Sequence, residues 1–202
     1  MRRAIGFLIT PLLPVLVFCL QPACGNAAEL RISRVALERT LRQQLFSGPE
    51  GRYYLRGDLR STCSVYAEQP SLSFSGDRIV VKVKTHARLG RAFAGRCVGV
   101  NLAPNSEVSL VPDAEGETIG FRDARVEHVS DFREFNFLLM PFLSHQIPAS
   151  MRVNAADLLR KTIEGSMAST GYKLTLDRLR IHSITIEAEW LVVDVDGSMS
   201  LR

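Results

Sequence analysis

The chain has 202 residues, 46% of them hydrophobic, with 25 basic side chains against 21 acidic ones and a formal net charge of +4. A balance so close to neutral lacks the clustered basic face that nucleic-acid binding needs. The length suits one domain with a sizeable core, and the sequence has no internal repeat or low-complexity tract.

In chain order the first element is a leader. Met1-Arg2-Arg3, the apolar run Ala4 to Leu20 and the small residues Gly25-Asn26-Ala27-Ala28 together read as a secretory signal. Cleavage after Ala27 fits the small-residue rule, and cleavage after Ala28 is the near alternative. A retained anchor is disfavoured because the run is short of the roughly 20 residues a span needs and contains Pro11 and Pro14. A third fate is lipidation at Cys24, since Leu20-Gln21-Pro22-Ala23-Cys24 resembles a lipoprotein box with its leucine one position early. The expected organisation is a signal peptide over 1–28 and a single α+β domain over 29–202, exported to the periplasm. Membrane association through the N-terminus belongs to the lipidated form.

In each of the two exported forms Cys63 and Cys97 are left, an even pair that suggests a disulfide in an oxidising compartment. Two separate thiols are the alternative. Two cysteines without a CxxC or HxxxH partner lack the ligand count for zinc.

Ser33 is placed to cap a first helix, in which Leu37, Leu41 and Leu45 recur every four residues until Gly48-Pro49 stops it. From about Tyr53 to Val129 the period becomes two. Ile79, Val81, Val83, Thr85 and Ala87 alternate with Lys82, Lys84, His86 and Arg88, and Ser75-Gly76-Asp77 before them signals a turn, so residues 71–88 form a hairpin. Val108 with Leu110, and Ile119 with Phe121, flank a second turn at Asp113-Ala114-Glu115-Gly116. Apolar residues then shift to Ala124 and Val126, which predicts a bulge near Asp123.

Residues 132–143 follow a helical stripe of Phe132, Phe135, Leu138, Leu139, Phe142 and Leu143. Phe137 and Met140 make the segment apolar nearly all round, so it is expected to be covered on several sides and kinked at Pro141. A further helix starts at Asn154-Ala155-Ala156-Asp157, carries Leu158, Leu159, Thr162, Ile163 and Met167, and ends at Gly171. The carboxyl end is a long strand with Leu191, Val193, Val195, Met199 and Leu201 on one face, partnered by a strand holding Ile181, Ile184 and Ile186. The fold class is therefore α+β, a long curved antiparallel sheet wrapped around one or two helices.

Catalytic motifs do not emerge. GxSxG, HExxH and GxxxxGK[ST] are absent, and His86, His128, His145 and His182 are far apart in sequence. Asp194-Val195-Asp196-Gly197-Ser198 resembles only the start of a calcium loop, and Arg56-Gly57-Asp58 reads as a turn. No cofactor or metal is implied, and the expectation is a non-enzymatic protein. What remains is an excess of apolar surface. Ile79, Val81, Val83, Phe135, Leu138, Leu139, Phe142, Leu159, Ile163, Leu191, Val193 and Val195 are the residues expected to line a groove for a lipid or other hydrophobic small molecule. An ordinary core built from the same residues is the alternative.

The amphipathic helix start Ile32-Ser33-Arg34-Val35-Ala36-Leu37 is followed by two strand segments, Gly76-Asp77-Arg78-Ile79-Val80-Val81-Lys82-Val83 and Ile119-Gly120-Phe121-Arg122-Asp123-Ala124-Arg125-Val126. With a signal before them and helices and closing strands after, this order resembles the YceB-like envelope lipoproteins, which are similar in fold to the tubular lipid-binding (TULIP) proteins. The resemblance spans about residues 30–202. It implies a curved sheet around a long helix, an apolar cavity with lipid-like ligands, and no catalytic residues. An envelope structural or assembly factor whose apolar surface meets a protein partner is the second functional reading, with that partner unspecified.

Overall fold

The computed structural model describes residues 27–129, 133–170 and 173–201. The leader up to Asn26, with Cys24, lies outside the described residues, as do Phe132 and Gly171. Among the described residues ten strands and four α-helices follow one another as β1 (Ala27–Ser33), α1 (Arg34–Leu45), β2 (Tyr53–Arg56), β3 (Val65–Ser75), β4 (Arg78–Phe93), β5 (Arg96–Leu102), β6 (Asn105–Glu115), β7 (Thr118–His128), α2 (Arg133–Pro141), α3 (Ile147–Ser150), β8 (Val153–Asn154), α4 (Ala155–Thr170), β9 (Leu174–Glu187) and β10 (Trp190–Leu201).

Every strand pairing among the described residues is antiparallel, and the fold is α+β as expected. The strands do not form one continuous ladder, however. Three of them make a sheet in the order β1-β10-β9, and a larger sheet runs β2-β3-β4-β6-β7-β8 with β5 paired to β4. The division arises because the closing hairpin β9–β10 recruits the amino-terminal strand, while the free edge of β7 is taken by the two residues of β8.

Helix α1 begins where the sequence predicts. The Ser33 hydroxyl accepts a hydrogen bond from the Ala36 N–H at 3.2 Å, satisfying one of the donors that a helix start leaves open. Leu37, Leu41 and Leu45 are buried, and the polar flank of the helix repairs a defect in β3. There, Gln69 has φ 52° and the β3–β4 register slips between Glu68 and Ser71. The Leu72 N–H donates to Glu38 Oε2 at 3.2 Å, and Arg42 donates to the Pro70 carbonyl at 2.9 Å. Backbone groups at the slip thus have helix side chains as partners, as buried polar groups require.

Strand β4 buries Ile79, Val81, Val83, Thr85 and Ala87 on one face, as the alternation predicts. The predicted bulge is also present. Leu110 faces both Asp123, at φ 52°, and Ala124, and Arg78 reaches across from β4 to donate to the Asp123 carbonyl at 2.5 Å and its carboxylate at 3.1 Å.

Two expectations fail. The helix after β7 is covered on one side only: Phe135 and Leu139 are buried, whereas Phe137 is 80% exposed and Met140 44%. Around Pro141 the helix widens into a π-turn over Phe142–Gln146 before α3, because proline lacks the N–H that regular helical pairing needs. In β10 Val192 is buried beside Leu191 and Val193, and Met199 is 61% exposed although it shares their parity, so the strand does not keep one buried and one open face. Its partner β9 carries two bulges, with His182 extra opposite Asp194/Val195 and Asp177 extra opposite Ser198/Met199. One contiguous core joins the elements, drawing on α1, α2, α3, the large sheet, β9 and β10.

Candidate functional site

A groove opens where α4 crosses the small sheet. Asn154 Oδ1 accepts from the Asp157 N–H at 3.0 Å and starts α4, burying Ala155 and Ala156 and setting Leu159 and Ile163, one turn apart, along one stripe. Opposite them lie Leu176 and Leu179 of β9, Val195, Gly197, Ser198 and Met199 of β10, and Ala28 of β1. The space they enclose is about 510 Å³, within the range of small-molecule sites.

The groove exists because the wall is thin at two places. Ala28 supplies a single methyl, and Gly197 supplies nothing: a Cβ there would sit 3.3 Å from the Arg178 carbonyl and 3.6 and 3.8 Å from the Leu176 and Leu179 methyls. Met199, beside the β9 bulge at Asp177, lines the groove from an exposed position.

Polar groups lie in these same strands and on α4, already paired. His182 Nε2 is 2.6 Å from Asp196 Oδ2, Thr175 Oγ1 is 2.7 Å from Ser200 Oγ, and the Ser200 hydroxyl donates to Asp177 at 3.0 Å. Arg160 lies 3.2 Å from Asp157 and 3.4 Å from Glu117. None of these groups lines the groove, whose walls are apolar apart from Ser198, and such a lining favours a ligand that is mostly hydrocarbon, since uncompensated burial of a polar ligand group costs about 1–3 kcal/mol.

The twelve residues singled out from the sequence divide between core and groove. Ile79, Val81, Val83, Phe135, Leu139, Phe142, Leu191 and Val193 are all buried in the close-packed core, and Leu138 is half-buried against it. Leu159, Ile163 and Val195 line the groove, Val195 from a buried position. Sequence reading did not single out Ala28, Leu176, Leu179, Gly197, Ser198 and Met199. Leu176 and Leu179 carry a weak signal because their spacing of three spans the β9–β10 slip at Ser198/Met199.

The remaining candidates resolve into structure. Asp196 of the calcium-like run pairs with His182, and among the described residues no group of three or more His, Cys, Asp or Glu gathers to hold a metal ion. Gly57 of Arg56-Gly57-Asp58 has φ 74°, and the Asp58 carboxylate accepts the Arg60 N–H and the Ser61 hydroxyl, each at 2.9 Å, which closes a turn. These bonds, that of Ser61 first, hold the Asp58 carboxyl below its ordinary range.

On the outer face of β2, β3 and β4 the Arg52 guanidinium lies 4.5 Å over the Tyr66 ring and donates to Glu68 at 3.1 Å. The Glu68 hydrogen bond raises the Arg52 pKa further above its usual value. Tyr66 stacks on His86 at 5.1 Å, and His86 Nε2 is 3.0 Å from Glu68 but poorly aligned for a full hydrogen bond. This cluster borders a second, more polar cavity of about 340 Å³ that also touches Arg88 and Asn101.

Cys63 and Cys97 form a disulfide with Cα atoms 5.0 Å apart. Such a bond persists in an oxidising, extracytoplasmic compartment. No helix among the described residues is long and apolar enough to cross a membrane.

No protein-family model matches the chain, and no curated protein matches it. Among solved structures, a crystal structure of lipopolysaccharide binding protein aligns with 87% of this chain at 12% identity and a TM-score of 0.32. The alignment covers 51% of that protein, so this chain spans about half its length. A likeness so distant carries no argument about function. No family model supports the resemblance to the YceB-like lipoproteins, which rests on element order and hydrophobic pattern.

Proposed function

We propose that this chain is a non-enzymatic periplasmic protein that binds a lipid or other hydrophobic ligand in the groove between α4 and the β1-β10-β9 sheet. The observation that carries the reading is the groove itself: about 510 Å³ walled by Leu159, Ile163, Leu176, Leu179 and Val195, with no side chain at Gly197. An acyl chain placed there gains about 0.8 kcal/mol for each methylene removed from water. The disulfide and the leader support an exported location.

The direct test is mass spectrometry of an organic extract from the protein recovered from a periplasmic fraction without detergent. The expected result is a lipid near one equivalent, absent from a control protein prepared in parallel. In Leu159→Asp with Leu176→Asp, two half-buried positions, occupancy is expected to fall at least about tenfold while circular dichroism is unchanged. An empty wild-type protein, or a double variant that keeps its ligand, counts against the groove.

A second reading, an envelope structural or assembly factor, is favoured by Phe137 and Met140, which stand exposed on one side of α2. Site-specific cross-linking from position 137 in intact cells separates the two. A stoichiometric protein adduct supports the partner, and its absence supports the carrier.

A further inference from the structure

Beyond Arg88 strand β4 leaves its partners β3 and β6 and continues with β5 alone, so residues 88–102 stand out from the large sheet as a two-stranded ribbon. Its register places Leu89 opposite Val100, Arg91 opposite Val98 and Phe93 opposite Arg96, all on one face. That face continues the core side of β4 past Ala87, yet among the described residues little covers its outer part: Phe93 is 74% exposed, Val98 60% and Val100 47%.

The opposite face carries Gly90 across from Gly99, and Ala92 across from Cys97. A Cβ at Gly90 would lie 2.1 Å from the Val98 carbonyl oxygen, so the two chains approach more closely than side chains permit. Two-stranded ribbons are marginally stable in water on their own. This one is fastened to the preceding loop by the Cys63–Cys97 disulfide, which holds the apolar face in a fixed presentation.

Charge says what the face meets. From Arg78 to Ser106 the sequence has no Asp or Glu, and Arg88, Arg91 and Arg96 make no ion pair among the described residues. Elsewhere Arg31, Arg34, Arg42, Arg52, Arg78, Arg122, Arg125, Arg152 and Arg160 pair with carboxylates, whereas Arg39, Arg56, Arg60, Arg178 and Arg180 make no ion pair among the described residues; what sets the ribbon apart is that its unpaired arginines adjoin an exposed apolar face in a stretch with no acidic residue. An exposed phenylalanine at a ribbon tip, two valines beneath it and unpaired guanidinium groups beside them fit an interface that is anionic at its surface and apolar just below.

We propose that the β4–β5 ribbon docks on the surface of an anionic lipid bilayer, with Phe93, Val98 and Val100 entering the headgroup boundary and Arg91 and Arg96 contacting lipid phosphates. The site is separate from the α4 groove and does not depend on lipidation at Cys24. A protein carrying a hydrophobic ligand would gain from such a foot, but the proposal stands without that reading.

The test is vesicle co-sedimentation of the full chain as processed by a secreting host, comparing phosphatidylcholine vesicles with vesicles containing phosphatidylglycerol. Wild type is expected to bind the phosphatidylglycerol vesicles preferentially, and less as salt rises. Arg91→Gln with Arg96→Gln is expected to weaken binding about 25-fold, each basic side chain near an anionic surface being worth roughly fivefold. Phe93→Ser with Val98→Ser is expected to weaken it at least about tenfold. Both variants change exposed positions, so thermal melts should match wild type, and Leu159→Asp with Leu176→Asp should bind vesicles as wild type does. The proposal is overturned if wild type does not bind, binds neutral vesicles equally, or is unaffected by the ribbon substitutions. It is also overturned if the groove variant is the one that loses binding, or if the ribbon variants alter only the oligomeric state.

Discussion

The bulge at Asp123 shows how one residue's charge maintains a backbone irregularity. Arg78 comes from two strands away, donating to the Ser109 hydroxyl at 2.9 Å and the Ser109 carbonyl at 3.1 Å before reaching the Asp123 carbonyl and carboxylate. The hydrogen bond from Arg78, then the nearby Arg125 charge, hold the Asp123 carboxyl below its ordinary range. A carboxyl depressed in the folded state contributes stability at pH above its unfolded value, and that contribution is lost as pH falls through the folded value. Urea midpoints measured from neutral pH into the acid range should therefore show a drop below the ordinary aspartate range that is smaller in Asp123→Asn; parallel curves for the two proteins would remove Asp123 from this role. The bulge was legible because an apolar pattern that changes parity requires an extra residue. Arg78 was not, because its partner lies 45 positions away and no local spacing connects them.

Among elements, α1 is the one that sequence describes best. Cap, apolar stripe and stop are all local signals, and all three match the observed helix. Ser33→Ala is expected to lower stability by about 1 kcal/mol, measured by chemical denaturation, through loss of the bond to the Ala36 N–H. A cost indistinguishable from zero would mean that tertiary contacts such as Arg34 to Glu189, at 2.6 Å, set the helix start unaided. Helix α2 shows the opposite. Its composition demands burial all round, yet only the Phe135–Leu139 side meets the core, since hydropathy records what a face prefers and packing decides what it receives. Strand β5 was missed because its alternation, Val98, Val100 and Leu102 against Gly99 and Asn101, is only three apolar residues long, and β8 because two residues cannot display a period.

For the molecule as a whole, the disulfide closes a separation of 34 residues that includes all of β3 and β4. Cys63→Ser with Cys97→Ser is expected to cost about 2–4 kcal/mol in the chain-entropy account. Hydrogen exchange should show the loss concentrated in residues 88–102; uniform loss over both sheets would show that the bond restrains the whole fold and not the ribbon. The sequence by itself determined the α+β class, the hairpin at Gly76, the buried face of β4 and most of the core, because these follow from periods of two and 3.6 and from turn chemistry read within a few residues. It also indicated Leu159, Ile163 and Val195, but could not separate them from Leu139 or Val193, which are equally apolar. Only the tertiary structure decided which apolar residues close into core and which leave a groove. That choice depends on the bulges in β9, on what faces Gly197 and on where α4 crosses the small sheet, all of which arise from contacts between segments apart in the chain.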